Sequence, residues 1–282
     1  MPKYIKSSFI AVLFVLLAVG LAACSVQPVA EPPPAPTAPP AATEVPAPTP
    51  EPVAPTPIPV AELTPDSVLP LDPVVTYGTL SNGMTYYIRH NEEPANRAQF
   101  LMVVRAGSVL EEESERGLAH FVEHMAFNGT ERFEKQQIVE YLESIGVNFG
   151  PDLNASTGFD TTTYEIEVPT EDSEVMETAF QILSDWAYAI SFDPEEVEKE
   201  RGVVIEEWRT RLGYGDRFLN HWIPLVFGSS RYTDRLPIGL LEVLEVATAD
   251  DLRGFYERWY RPNLMALVVV GDRGGAPNVA QV

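Results

Sequence analysis

Arg116-Gly117-Leu118-Ala119-His120-Phe121-Val122-Glu123-His124-Met125-Ala126-Phe127-Asn128-Gly129-Thr130 is the stretch on which the reading of this chain turns. Its apolar residues recur at helical spacing, which predicts a helix over residues 116–127. Asn128-Gly129 then closes it, because glycine tolerates the left-handed turn that ends many helices. His120 and His124 are four residues apart, so both imidazoles leave one face and can grip a single ion. Glu123 lies beside His124, about 100° around the helix axis, close enough to reach a water on such an ion.

A catalytic zinc commonly takes three protein ligands and keeps its fourth position for water. A second predicted helix, over residues 194–212, offers Glu200 and Glu207. They are seven residues apart and share a face, and periodicity alone does not choose between them. Glu195, Glu196, Glu198 and Glu206 point elsewhere. The remaining histidines, His90 and His221, are read as structural or surface residues. The tryptophans Trp186, Trp208, Trp222 and Trp259 are read as core or helix packing. The acidic run from Glu111 to Glu115 is read as a solvated approach to the first helix.

Composition divides the 282 residues into unequal parts, because most of the 26 prolines fall before Val74. Residues 1–24 have the form of a bacterial export signal: Lys3 and Lys6, then an apolar stretch from Phe9 to Gly20, then small residues. Leu21-Ala22-Ala23-Cys24 resembles a lipobox, which implies that Cys24 is lipid-modified and anchors the chain to a membrane of the cell envelope. Residues 25–73, rich in Pro, Ala and Thr, cannot bury enough apolar area to fold. At ~3.1 Å per residue such a polyproline-like tether reaches up to roughly 120 Å. The formal net charge of −22 excludes a nucleic-acid partner, since phosphate binding needs a basic face. Cys24 is the only cysteine, so neither a disulfide framework nor a thiolate metal cluster is expected.

The folded part, residues 74–282, mixes strands and helices without regular alternation. β-rich runs on either side of Asn82-Gly83 predict a hairpin. Further strands are expected over residues 99–104, 153–157, 162–168 and 265–270. Further helices are expected over residues 134–144, 173–189, 216–226 and 249–260. This pattern predicts an α+β fold: a largely antiparallel sheet with helices packed on one face.

The stretch containing His120-Phe121-Val122-Glu123-His124 resembles the inverzincin motif of the pitrilysin/insulinase family of zinc metallopeptidases. Matches continue through Gly107-Ser108, Asn154-Ala155, Glu200-Arg201-Gly202-Val203-Val204-Ile205-Glu206-Glu207 and Arg235-Leu236-Pro237-Ile238-Gly239, over roughly Val75 to Asp272. The resemblance implies one Zn2+ per chain, with His120, His124 and Glu207 as ligands and Glu123 as catalytic base. It places Glu200 behind a ligand histidine, where it fixes the tautomer, and it makes Asn154 and Ala155 part of a substrate-binding edge strand. The implied activity is hydrolysis of peptides or unfolded protein segments by zinc-activated water, with no covalent acyl-enzyme.

Members of that family resemble a clamshell, in which a second half of similar fold supplies an arginine and a tyrosine. Beyond Gly271-Asp272 this sequence departs from the family pattern, so residues 74–282 read as an incomplete first half, truncated at its C-terminus. A separate subunit resembling the second half is then an expected partner. A tethered zinc- or peptide-binding module without turnover stays open as the alternative.

Overall fold

Val75–Thr79 (β1) and Thr85–His90 (β2) fold back on one another as an antiparallel hairpin, as the Asn-Gly signal predicts. Gly83 sits there at φ 97°, a conformation that a side chain disfavours, and the Asn82 side chain accepts from the Met84 N–H at 3.0 Å. A computed structural model describes residues 71–272, so the export signal, Cys24 and nearly all of the tether lie outside the described residues.

Four more strands complete a sheet: Arg97–Val104 (β3), Leu153–Thr157 (β4), Thr162–Pro169 (β5) and Met265–Gly271 (β6). The order is β1-β2-β6-β3-β5-β4, antiparallel throughout except for the parallel β2–β6 pair. Strict alternation places Phe100, Met102, Tyr164, Ile166, Leu267 and Val269 on one face, and register aligns them across β3, β5 and β6. Leu101, Glu165 and Val268 line the other face, which is only half-buried. Helices cover the first face. This is the α+β architecture expected from the sequence.

Those helices are Leu118–Met125 (α1), Gln137–Ser144 (α2), Ser173–Tyr188 (α3), Pro194–Arg211 (α4), Tyr214–Phe227 (α5), the single turn Leu241–Leu244 (α6) and Ala249–Trp259 (α7). Their starts follow local rules. Asp172 accepts from the Glu174 N–H, and Asp193 from the Glu195 and Glu196 N–H groups with Pro194 opening α4. Thr248 and Asp251 form a reciprocal capping box on α7. Leu118, Phe121, Val122 and Met125 of α1 join Ile182, Leu183 and Trp186 of α3 and Leu252 and Phe255 of α7 in one core over the sheet.

Two expectations change. Trp222 is 44% exposed on α5, alongside exposed Phe218 and Leu225, so it is not a core residue. Glu111 is fully buried, although the run around it reads as solvated. Trp186 behaves as expected: it is buried, and its indole N–H donates to the Ala126 carbonyl at 2.8 Å, holding the C-terminal end of α1.

Candidate metal centre

The stretch with His120 and His124 forms α1, and every residue of that helix except His124 is buried. The helix therefore sits against the core with its two histidines facing α4. His120 Nε2 and His124 Nε2 lie 3.2 Å apart. Glu207 Oε2, two turns beyond Glu200 on α4, lies 3.5 Å from the first and 3.3 Å from the second. A tetrahedral zinc with ligands at about 2.0–2.1 Å requires donor atoms roughly 3.3 Å apart. The three separations bracket that value, so the donor set fits the ion without rearrangement. Among the described residues, His120, His124 and Glu207 are the group whose donor atoms all converge within 4.8 Å.

The carboxylates divide their work by oxygen. Glu207 presents Oε2 to the histidines, while Oε1 accepts from Arg211 one turn further along α4. The hydrogen bond to His124 drives its carboxyl down to about 2, against the opposing effect of burial. Glu200 accepts from His124 Nδ1 at 2.7 Å through Oε1 and from the Asn128 amide at 2.9 Å through Oε2. A proton on His124 Nδ1 leaves Nε2 with a free lone pair on the side of the converging donors.

The two histidines differ electrostatically. Burial holds His120 down to about 4, in its neutral form. Burial also opposes charge on His124, but hydrogen bonds to Glu200 and Glu207 prevail and raise it to about 9. A cation bound between the imidazoles would replace that proton. His120 Nδ1 is buried without a hydrogen-bond partner among the described residues, so no side chain orients that ring from behind.

Glu123 is 7% exposed, and its Oε2 accepts from the Thr157 hydroxyl at 2.6 Å. Burial raises its carboxyl above the ordinary range, and the Thr157 hydrogen bond moderates the rise. A carboxylate raised in this way is a better proton acceptor near neutral pH than an exposed one. Thr157 ends β4, the edge strand that also carries Asn154 and Ala155. Asn154 is exposed, and its Oδ1 accepts from the Ala155 N–H at 2.9 Å. Among the described residues no hydrogen bond joins either to the converging donors; they lie on the strand whose far end meets Glu123.

Thus His120, His124, Glu123, Glu200 and Glu207 come together. Sequence reasoning missed Thr157, Asn128 and Arg211. A signal existed for two of them: Thr157 is two residues beyond Ala155 in a strand, and Arg211 is one turn beyond Glu207. Nothing local marked Asn128 as more than a helix terminator. His90 and His221 are exposed, as expected of surface residues.

Residues 86–212 match the family model described as insulinase (peptidase family M16), and residues 247–273 match the model described as the peptidase M16 inactive domain. The probable zinc protease PqqL of Haemophilus influenzae is 40% identical over 211 residues, covering 75% of this chain and 23% of that protein. A PQQL-like zinc protease of Arabidopsis thaliana is 46% identical over 197 residues, covering 70% of this chain and 20% of that one. The chain thus spans about a fifth of the length of these relatives. The solved first half of the periplasmic protease PqqL from Escherichia coli superimposes with a TM-score of 0.71 at 39% identity, covering 73% of this chain and 44% of that one. Together with the zinc-compatible donor set, these matches identify residues 86–212 as a domain of the insulinase family, peptidase family M16.

Proposed function

We propose that this chain carries the zinc centre of an endopeptidase that hydrolyses peptides or unfolded protein segments in the bacterial cell envelope. The observation that carries the reading is the convergence of His120, His124 and Glu207 beside a buried glutamate, Glu123. In this reading the first three hold one zinc, and Glu200 fixes His124 in the tautomer that can bind it.

Zinc, when bound, supplies a Lewis acid that polarises the scissile carbonyl and lowers the pKa of water toward ~7. Glu123 takes the proton of the attacking water and later delivers it to the leaving amine. Thr157 holds the Glu123 carboxylate at one oxygen, leaving the other to receive that proton. An extended substrate adds to the outer edge of β4 at Asn154 and Ala155, with the backbone pairing typical of strand addition. The Asn154 side chain swings off the Ala155 N–H to let it pair. Since β4 ends at Thr157, a chain lying along it is delivered to Glu123.

Anchoring follows from residues 1–24, with a lipid on Cys24 and residues 25–73 as tether. Cys24→Ala would then move the protein from the membrane fraction to the soluble fraction. The central test compares metal content and cleavage of a quenched fluorescent peptide for the wild-type full-length chain and Glu123→Gln. Stoichiometric zinc in both, with cleavage only by the wild type, is the expected result. Folded wild type without zinc would overturn the metal centre. Equal cleavage by both would overturn the role of Glu123.

A further inference from the structure

Helix α1 begins without a side-chain cap. Its N-cap is Gly117 at φ 108°, so the first-turn N–H groups need an acceptor from elsewhere. Glu111 provides it from eight residues upstream: its Oε1 accepts from the Ala119 N–H at 2.9 Å. The side chain is fully buried, and Oε2 has no hydrogen-bond partner among the described residues.

Glu111 is itself clamped. Arg231 and Arg235 donate to its backbone carbonyl, Arg235 through Nε at 2.9 Å. Arg235 is 5% exposed and pairs with Glu113 at 2.7 Å, and its own carbonyl accepts from the Ser108 hydroxyl at 2.6 Å. The chain then turns back onto the start of α1. The Leu240 N–H donates to the Arg116 carbonyl at 3.1 Å, and a Cβ at Gly239 would collide with Gly117. Arg235-Leu236-Pro237-Ile238-Gly239, noticed in the sequence only as a resemblance, is here the bracket around the metal helix.

This matters because the two histidines are oriented differently. His124 is held from behind by Glu200, whereas His120 Nδ1 has no hydrogen-bond partner among the described residues. The direction of the His120 ring is therefore set by its backbone and packing, and His120 follows immediately after the residue whose N–H Glu111 holds.

We propose that Glu111 is a positioning residue for the metal centre, acting through the first turn of α1 to aim His120 at the ion. The inference rests on the reading of His120, His124 and Glu207 as metal ligands. Burial pushes the Glu111 carboxyl up to about 8, so near neutral pH it acts largely as an uncharged acceptor. Glutamine matches it in shape and keeps the acceptor; alanine removes it.

The test uses the full-length chain with Glu111→Ala and Glu111→Gln. Zinc affinity is read by chelator competition, and ligand geometry by the visible spectrum of bound Co2+. Glu111→Ala is expected to bind zinc about tenfold more weakly, the range for groups that orient metal ligands, with an altered Co2+ spectrum. Glu111→Gln is expected to match the wild type in both. Should the alanine variant fail to fold, Glu111→Asp serves instead, because one methylene less leaves its carboxyl short of the Ala119 N–H. An alanine or aspartate variant indistinguishable from wild type, or a glutamine variant as impaired as alanine, overturns the proposal. Wild type that binds neither ion overturns the metal centre itself and so is a separate failure.

Discussion

Replacing Glu200 with glutamine isolates the group behind His124. Glu200 Oε1 lies 2.7 Å from His124 Nδ1, with the two side chains 15% and 18% exposed. A hydrogen bond to a charged partner contributes about 1.5–3 kcal/mol. At about 1.4 kcal/mol per tenfold, that corresponds to roughly 10- to 150-fold in zinc affinity. Glutamine cannot satisfy both neighbours. If its oxygen accepts from His124 Nδ1, its NH2 faces the Asn128 amide that donates to Glu200 Oε2 at 2.9 Å, and two donors meet. If it flips, His124 loses its acceptor. Either way one bond is lost and the imidazole is freed to tilt, so a weakening of about 10- to 100-fold is expected. The assay is zinc competition against a chromophoric chelator, with circular dichroism to show that the fold is retained. An affinity within about twofold of wild type would refute the reasoning, because His124 would then be aimed by packing alone.

Thr157→Val removes the hydroxyl that holds Glu123 and should lower kcat about tenfold with zinc content unchanged, while Thr157→Ser restores it; a fall in KM alone would contradict this. Glu111 gives a pH signature. Its folded pKa of about 8 lies above the ordinary 4.5, so the folded state binds the extra proton between these values and this contribution to stability falls as pH rises from about 4.5 to 8. Thermal midpoints of Glu111→Gln should decline less across that window than those of wild type, and parallel profiles would refute the assignment. Trp186→Phe strands the Ala126 carbonyl and opens a void in a fully buried position, for a loss of about 2–4 kcal/mol in urea unfolding. A loss below about 0.5 kcal/mol would show that Trp186 does not hold the end of α1.

Much of this architecture was legible because its signals are local. Alternation in residues 162–168 and 265–270, Asn-Gly at 82–83, and Pro194 after Asp193 each act within a few residues, and the strands and helices they predict are present. Helix ends moved by one to three residues, where fraying and capping are close in energy. Glu111 and Trp222 were misread because burial is not a local property. An acidic run that stands before a helix in sequence can place one carboxyl under it, and a tryptophan at helical spacing is exposed if nothing packs on that face.

The sequence by itself determined the pair of histidines and the neighbouring glutamate, because their spacing on one helix needs no partner to be meaningful. Its composition also carries the proposal of an export signal and tether over residues 1–73. Only the tertiary structure separates Glu207 from Glu200 on physical grounds. Both leave one face of α4, but the packing of α4 on α1 sets Glu207 against both Nε2 atoms and Glu200 against His124 Nδ1. Thr157 and Glu111 belong to that second class as well. They reach α1 from 34 and 8 residues away, across distances that only the folded chain closes.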